Sequence, residues 1–104
     1  MPTTLQVIYP VRDDAVFDYD YYLDNHLPLL QEHWGELIEG IEVTKGLASG
    51  PDIPAAYLLI ATVTFPDLDS LDEAMGESGG QLIDDVPNFT NVRPQILIGE
   101  LIHG

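Results

Sequence analysis

Apolar and polar residues alternate along this chain with two different periods, and the changes of period divide it into six elements. Thr4 to Pro10, "TLQVIYP", alternates and is rich in β-branched and aromatic residues, which predicts a strand ended by Pro10 and the polar Arg12-Asp13-Asp14. From Phe17 the period lengthens: Tyr22, His26, Leu29, Leu30, His33 and Leu37 recur at steps of three and four and share one helical face. Asp18 suits the N-cap, and Phe17 before it is placed to pack on Tyr22 as a hydrophobic staple. Pro28 lacks an amide and disfavours helical geometry at Leu27, so the helix is expected in two pieces, Asp18 to Asn25 and Pro28 to Trp34, ending near Gly35.

"GIEVTKGLAS", from Gly40, reads as a short strand running into the Gly50-Pro51-Asp52-Ile53-Pro54 loop, and a hairpin-like connection follows. In "AAYLLIATVTF" the residues Tyr57, Leu59, Ala61, Val63 and Phe65 face one way, with Leu58 and Ile60 opposite. Pro66-Asp67 stops that strand. "DLDSLDEAMGES" then predicts a second helix, with Leu68, Leu71 and Met75 at helical spacing and Asp67 or Asp69 as cap. Gly76, Gly79 and Gly80 are expected to break it before "QLIDDVPNFT", and "PQILIGELI" supplies a last strand, apolar on both faces through Ile96, Leu97, Ile98 and Leu101.

The order strand, helix, strand, strand, helix, strand predicts an α+β fold. It is the ferredoxin-like βαββαβ arrangement, a four-stranded antiparallel sheet with both helices on one face, filling residues 1–104 as a single domain. The other sheet face is left bare. Since several strands are apolar on both sides, a second copy of the chain is the expected cover, giving a homodimer through the open sheet face.

Composition changes the picture mainly through charge. Arg12, Lys45 and Arg93 stand against 18 acidic residues, for a formal net charge of -15. Three dispersed cations make no footprint for phosphates, so a nucleic-acid role is excluded, and anionic membranes with it. Such a charge opposes compaction by self-repulsion, and molar salt screens it to about 3 Å, so the composition fits a halophilic cytoplasm. There is no cysteine, hence no disulfide, thiolate ligand or catalytic thiol. No basic leader followed by an apolar run occurs, nor an apolar stretch near the roughly 20 residues of a membrane span, and the expected location is the cytoplasm. Asn88-Phe89-Thr90 matches a glycosylation pattern that a cytoplasmic chain does not use.

The candidate chemistry centres on His26. An imidazole moves a proton near neutral pH, and Tyr22, four residues earlier, is placed to orient it or a ligand oxygen, which makes His26 and Tyr22 the candidate catalytic pair. Tyr21, Tyr9, Tyr57, Trp34 and Asp85 are candidate ligand-binding residues. The structural alternative is a core histidine satisfied by a backbone carbonyl or by a carboxylate such as Asp85. No metal site is expected: His26 and His33 lie about 10.5 Å apart along an ideal helix, and Asp67-Leu68-Asp69 departs from a calcium loop at Leu71 and Asp72. Gly76, Gly79 and Gly80 do not form a dinucleotide loop, and no cofactor is expected. Asp84-Asp85 precedes Val86-Pro87-Asn88-Phe89-Thr90, a segment expected either to close over a pocket or to lie at the dimer seam.

Three stretches together resemble the EthD family: "FDYDYYLDNHLPL", "GPDIPAAYLLIATVTF", and "DDVPNFT" followed by "RPQILIGE". The last is similar to the family's Asp-Ile-Pro-Asn-Tyr/Phe-Thr, with Val86 in place of the usual isoleucine. The resemblance covers nearly the whole chain and implies the dimeric α+β barrel, in which two ferredoxin-like sheets close together and each subunit keeps a pocket between sheet and helices. It implies a small, largely apolar organic molecule as ligand, bound or transformed without cofactor. Members of that wider barrel group include cofactor-free monooxygenases, isomerases, cyclases and haem enzymes. The alternative is a non-catalytic accessory or stress-related dimer acting on a partner enzyme, with His26 structural.

The halophile reading has a direct check. Urea unfolding in molar KCl is expected at a clearly higher midpoint than in about 10 mM KCl, where the screening length is about 30 Å; equal midpoints in the two salts overturn it.

Overall fold

Four strands form one antiparallel sheet in the order β2-β3-β1-β4 in a computed structural model that describes residues 1–104. They are β1 (Thr3–Pro10), β2 (Gly40–Lys45), β3 (Tyr57–Phe65) and β4 (Gln95–Glu100). Register puts Leu5 opposite Val63 and Ile98, and Val7 opposite Ala61 and Ile96, so the odd positions of β1 and β3 face one way. That face is the core: Leu5, Tyr9, Leu59, Ala61, Val63 and Phe65 are all buried. The ferredoxin-like fold expected from the element order is the one observed. No helix is long and apolar enough to cross a membrane.

Helix α1, residues 19–34, begins on the expected cap, with Asp18 accepting from the Tyr21 amide at 3.0 Å. The Phe17 and Tyr22 rings meet at 5.7 Å, as the staple requires. The helix does not divide at Pro28. It is α-helical over Tyr19–Tyr21 and Leu27–Trp34, joined by a π-helical turn over Tyr22–His26 whose last bond runs from the Leu27 amide to the Tyr22 carbonyl. A proline clashes with the carbonyl four residues back and leaves it without a donor; one wide turn ahead of Pro28 absorbs that misfit without breaking the helix.

Helix α2, Leu68–Asp85, corrects the expectation that Gly76, Gly79 and Gly80 break it. Asp67 caps it, accepting from the Ser70 amide at 2.8 Å. Each interior glycine costs about 1 kcal/mol relative to alanine, but Leu71, Ala74, Ser78, Gly79 and Leu82 form a buried stripe that holds the helix on the sheet. The two helices are tied where the Trp34 indole donates to the Ala74 carbonyl at 2.9 Å.

A 3-10 turn, Val86–Asn88, turns the chain back so that Phe89 enters the core beside the start of α1. The Asp18 amide donates to the Phe89 carbonyl at 2.7 Å, and the Thr90 hydroxyl donates to the Val16 carbonyl at 2.6 Å. Phe89 lies against Tyr9, Phe17, Tyr22 and His26 with ring centroids 5.8, 5.3, 5.3 and 4.8 Å away. This segment therefore closes the core, in addition to any role at a pocket.

The bare face is apolar at one end only. Ile8 pairs with Ile60 there, while Gln6 pairs with Thr62 and Thr4 with Thr64 toward the other. Edge strand β4 leaves Ile96, Leu97 and Ile98 about half exposed, and Leu101 lies beyond its end.

Because Phe89 fills the junction of sheet, α1 and the final turn, Phe89→Ala is expected to destabilise by about 3–5 kcal/mol, the cost of truncating a buried aromatic. Urea unfolding checks this, and a loss under 1 kcal/mol would show that the junction is held elsewhere.

Candidate functional site

The π-helical turn puts Tyr22 and His26 on one side of α1, their rings stacked at 5.2 Å and 30°. Both are buried. The last turn of α2 brings Asp85 across from them, and its carboxylate meets three donors. His26 Nδ1 lies 2.9 Å from Oδ2, while Oδ1 accepts from the Tyr21 hydroxyl at 2.8 Å and the Asn88 amide at 2.9 Å. Partial burial pushes the Asp85 carboxyl up, but the hydrogen bonds from Asn88, His26 and Tyr21, with the charge on His26, outweigh it and hold it below its ordinary value. The same bond to Asp85, then its burial and charge, raises the Tyr21 phenol.

An ionised carboxylate only accepts, so the proton of the His26–Asp85 contact sits on Nδ1. In the neutral ring Nε2 is then a proton acceptor, and it makes no hydrogen bond to the protein. The Tyr9 phenol is also without a protein partner. Burial pushes its pKa far up, with contributions from Tyr22 and Asp85. Burial likewise raises Tyr22 to about 12, so both phenols remain protonated at neutral pH. Every fully enclosed side-chain nitrogen and oxygen in the molecule has a partner, so Nε2 of His26 and the Tyr9 and Tyr22 oxygens, which have none, must touch open space.

His26 and Tyr9 share such a space: a cavity of about 100 Å³ between sheet and helices, walled mainly by Leu5, Val7, Leu30, Trp34, Met75 and Leu82. It offers one acceptor, Nε2, and one donor, the Tyr9 O–H, in apolar surroundings. That combination suits removal of a proton from a small molecule, with Asp85 stabilising the imidazolium and Tyr9 donating to the oxygen that gains charge.

The predicted residues divide accordingly. His26, Tyr9 and Trp34 line the cavity, Trp34 with its indole N–H already spent on Ala74. Asp85 and Tyr21 act behind His26. Tyr22 is not a cavity residue but the stacking partner of His26, and its hydroxyl makes no contact with the imidazole nitrogens. Tyr57 is placed elsewhere: it opens β3, 43% exposed, beside Lys45 and Leu47. The register shift between Tyr9 and Pro10 ends the regular alternation of β3 just before it, so extrapolating the strand's face to Tyr57 fails. Phe89 and Asn88 were not named as site residues. A carboxylate in the last turn of a helix opposes the helix dipole, and a donor three residues on is the signal that marks Asp85 and Asn88 together.

Neither a protein-family model nor a curated protein matches the sequence. Solved structures do. An EthD-like protein from Ralstonia eutropha superposes with a TM-score of 0.89 at 28% identity, covering 98% of this chain and 93% of that one. The chain is thus similar in sequence and fold to an EthD-like protein over nearly its whole length. An EthD family protein from Bacillus halodurans follows at TM-score 0.76 and 22% identity, with 98% of this chain and 100% of that one covered. SnoaB, a cofactor-independent oxygenase from Streptomyces nogalater, shares the fold at TM-score 0.62 and 8% identity, with 99% and 94% covered. The three share one fold with this chain.

The depressed Asp85 pKa has a definite sign in stability. Its contribution is complete above the ordinary value of 3.8 and is lost as pH falls below it through the folded-state value. Asp85→Asn is expected to cost about 1–3 kcal/mol at neutral pH, and the gap to the native protein should narrow between about pH 5 and about pH 3. A gap that stays constant on acidification, measured by urea unfolding at both pH values, contradicts an ionised Asp85 held by its three donors.

Proposed function

We propose that this EthD-like protein binds a small, largely apolar organic molecule in the cavity between sheet and helices and takes a proton from it at His26 Nε2. The observation that carries this reading is the fixed histidine. Asp85 holds Nδ1 at 2.9 Å, which leaves Nε2 unpartnered on the wall of an apolar space that the Tyr9 phenol also lines. Tyr21 and Asn88 position Asp85, and Tyr22 supports the ring from behind. No cofactor is needed to move a proton, and SnoaB's description as a cofactor-independent oxygenase supports a chemistry of this kind on this fold.

The reading extends to assembly. A second copy covers the bare sheet face around Ile8, Ile60 and Leu97, and the acidic surface suits a salt-rich cytoplasm. The tight packing about Tyr22 is what the alternative expects, a non-catalytic accessory dimer contacting a partner enzyme. The cavity on the His26 side favours ligand binding instead.

The test compares native protein with His26→Ala and His26→Gln, each purified in molar KCl, sized by light scattering, denatured, and searched for released small molecules by untargeted mass spectrometry. A compound enriched only with the native protein, from variants that remain dimeric, is the expected result. Release of nothing from the native protein, or of equal amounts from all three, overturns the ligand reading, and a monomeric native protein overturns the dimer.

A further inference from the structure

The cavity is not walled off from the surface by thick packing. Ile83, Val86 and Pro94, which line it, also line a surface groove of about 360 Å³ together with Asn91 and Arg93. Ile83 is 62% exposed, and Ile96 on the β4 side of the cavity is 53% exposed. A molecule lying across these residues has its inner end in apolar surroundings and its outer end beside Arg93.

Arg93 stands apart from the other cations. Of the three lysines and arginines, Arg12 is engaged by Asp14 at 3.0 Å and by the Asn91 carbonyl at 2.7 Å. Lys45 sits 4.4 Å above the Tyr19 ring. Arg93 makes no ion pair and no side-chain hydrogen bond, and the only ion pairs are Arg12–Asp14 and His26–Asp85. In a chain of net charge -15 the overall field repels anions, so an anionic group can be held only where a cation acts at contact distance. A guanidinium left unpaired at the groove offers a fork of donors matched to a carboxylate.

We propose that cavity and groove form one site for an amphiphilic organic acid, its apolar end against Tyr9 and His26 and its carboxylate on Arg93. This rests on the reading of the cavity as a ligand site and narrows its substrate class. With about 100 Å³ inside, less than the roughly 150 Å³ cavity that admits benzene, the part that enters is the end of a short unbranched alkyl chain, and the rest of the chain lies along the groove. Arg93 sets specificity, and a molecule that is also turned over carries at its inner end an oxygen that meets Tyr9 and acidifies the proton His26 takes.

Hexanoate and hexan-1-ol differ at the end that would meet Arg93 and share the alkyl chain that would enter the cavity. Met75, one of two methionines, lines that cavity, so its methyl NMR signal reports entry for both probes. Both are expected to shift it, with hexanoate about tenfold the tighter, as one charge-assisted contact provides. Arg93→Gln, a change at an exposed side chain, should raise the hexanoate Kd about tenfold, leave hexan-1-ol within about twofold, and be partly rescued in Arg93→Lys. Equal effects on the two probes, or none, overturn the role of Arg93. Entry of hexan-1-ol without any advantage for hexanoate removes this proposal and leaves the cavity reading standing. If neither probe moves Met75, both fall.

Discussion

One carboxylate gathers the parts of this protein that are far apart in sequence. Asp85 receives Tyr21 and His26 from the first helix and Asn88 from the turn that follows its own helix, and each donor answers part of the cost of placing a charge there. The position is electrostatically poor, since the end of a helix presents carbonyls and partial negative charge. Three donors reverse that disadvantage, and the reversal fixes both the tautomer of His26 and the angle at which the chain leaves α2. From that turn Phe89 is delivered into the aromatic cluster, so the geometry of the proton acceptor and the closure of the core share a cause.

The surface follows the opposite rule. Acidic residues are scattered over helices and loops with few cations to answer them, so their mutual repulsion is answered by solvent screening and, Arg12–Asp14 apart, not by ion pairs. The interior has no such freedom, and the Asp85 carboxylate meets His26 among rings, with Tyr22 stacked on the imidazole and Phe89 tilted against it. Charge is mostly unpaired outside and strictly partnered inside, which separates the surface carboxylates from the one that meets His26.

Much of the fold was legible because it depends on local periodicity. Alternation in Thr4 to Pro10 and in "YLLIATVTF" marks the central strands, and Asp18, Phe17 and Asp67 mark helix starts by chemistry that neighbours in sequence supply. The helix through Gly76, Gly79 and Gly80 was not legible, because what holds it is the sheet beneath Leu71, Ala74 and Leu82. His26 and Asp85 were both visible as candidates, the carboxylate as the partner that would make the histidine structural. The contact exists, yet a bond to Nδ1 leaves Nε2 free, so satisfying the ring and using it are compatible. Tyr57 leaves the expected face through one irregularity of register, and of the two roles open to Tyr22, orienting His26 or meeting a ligand oxygen, its stacking on the imidazole agrees with the first.

Gly79 lies in the middle of α2, buried, on the wall of the cavity, where an added methyl would come within 3.4 Å of the Met75 terminal carbon. The helix tolerates a poor helix former there, and the missing side chain leaves space beside a flexible thioether that can take up or release a little more. Position 79 thus acts as a volume dial. Alanine, serine or valine at this one site would narrow the space beside Met75 without changing the histidine or its carboxylate.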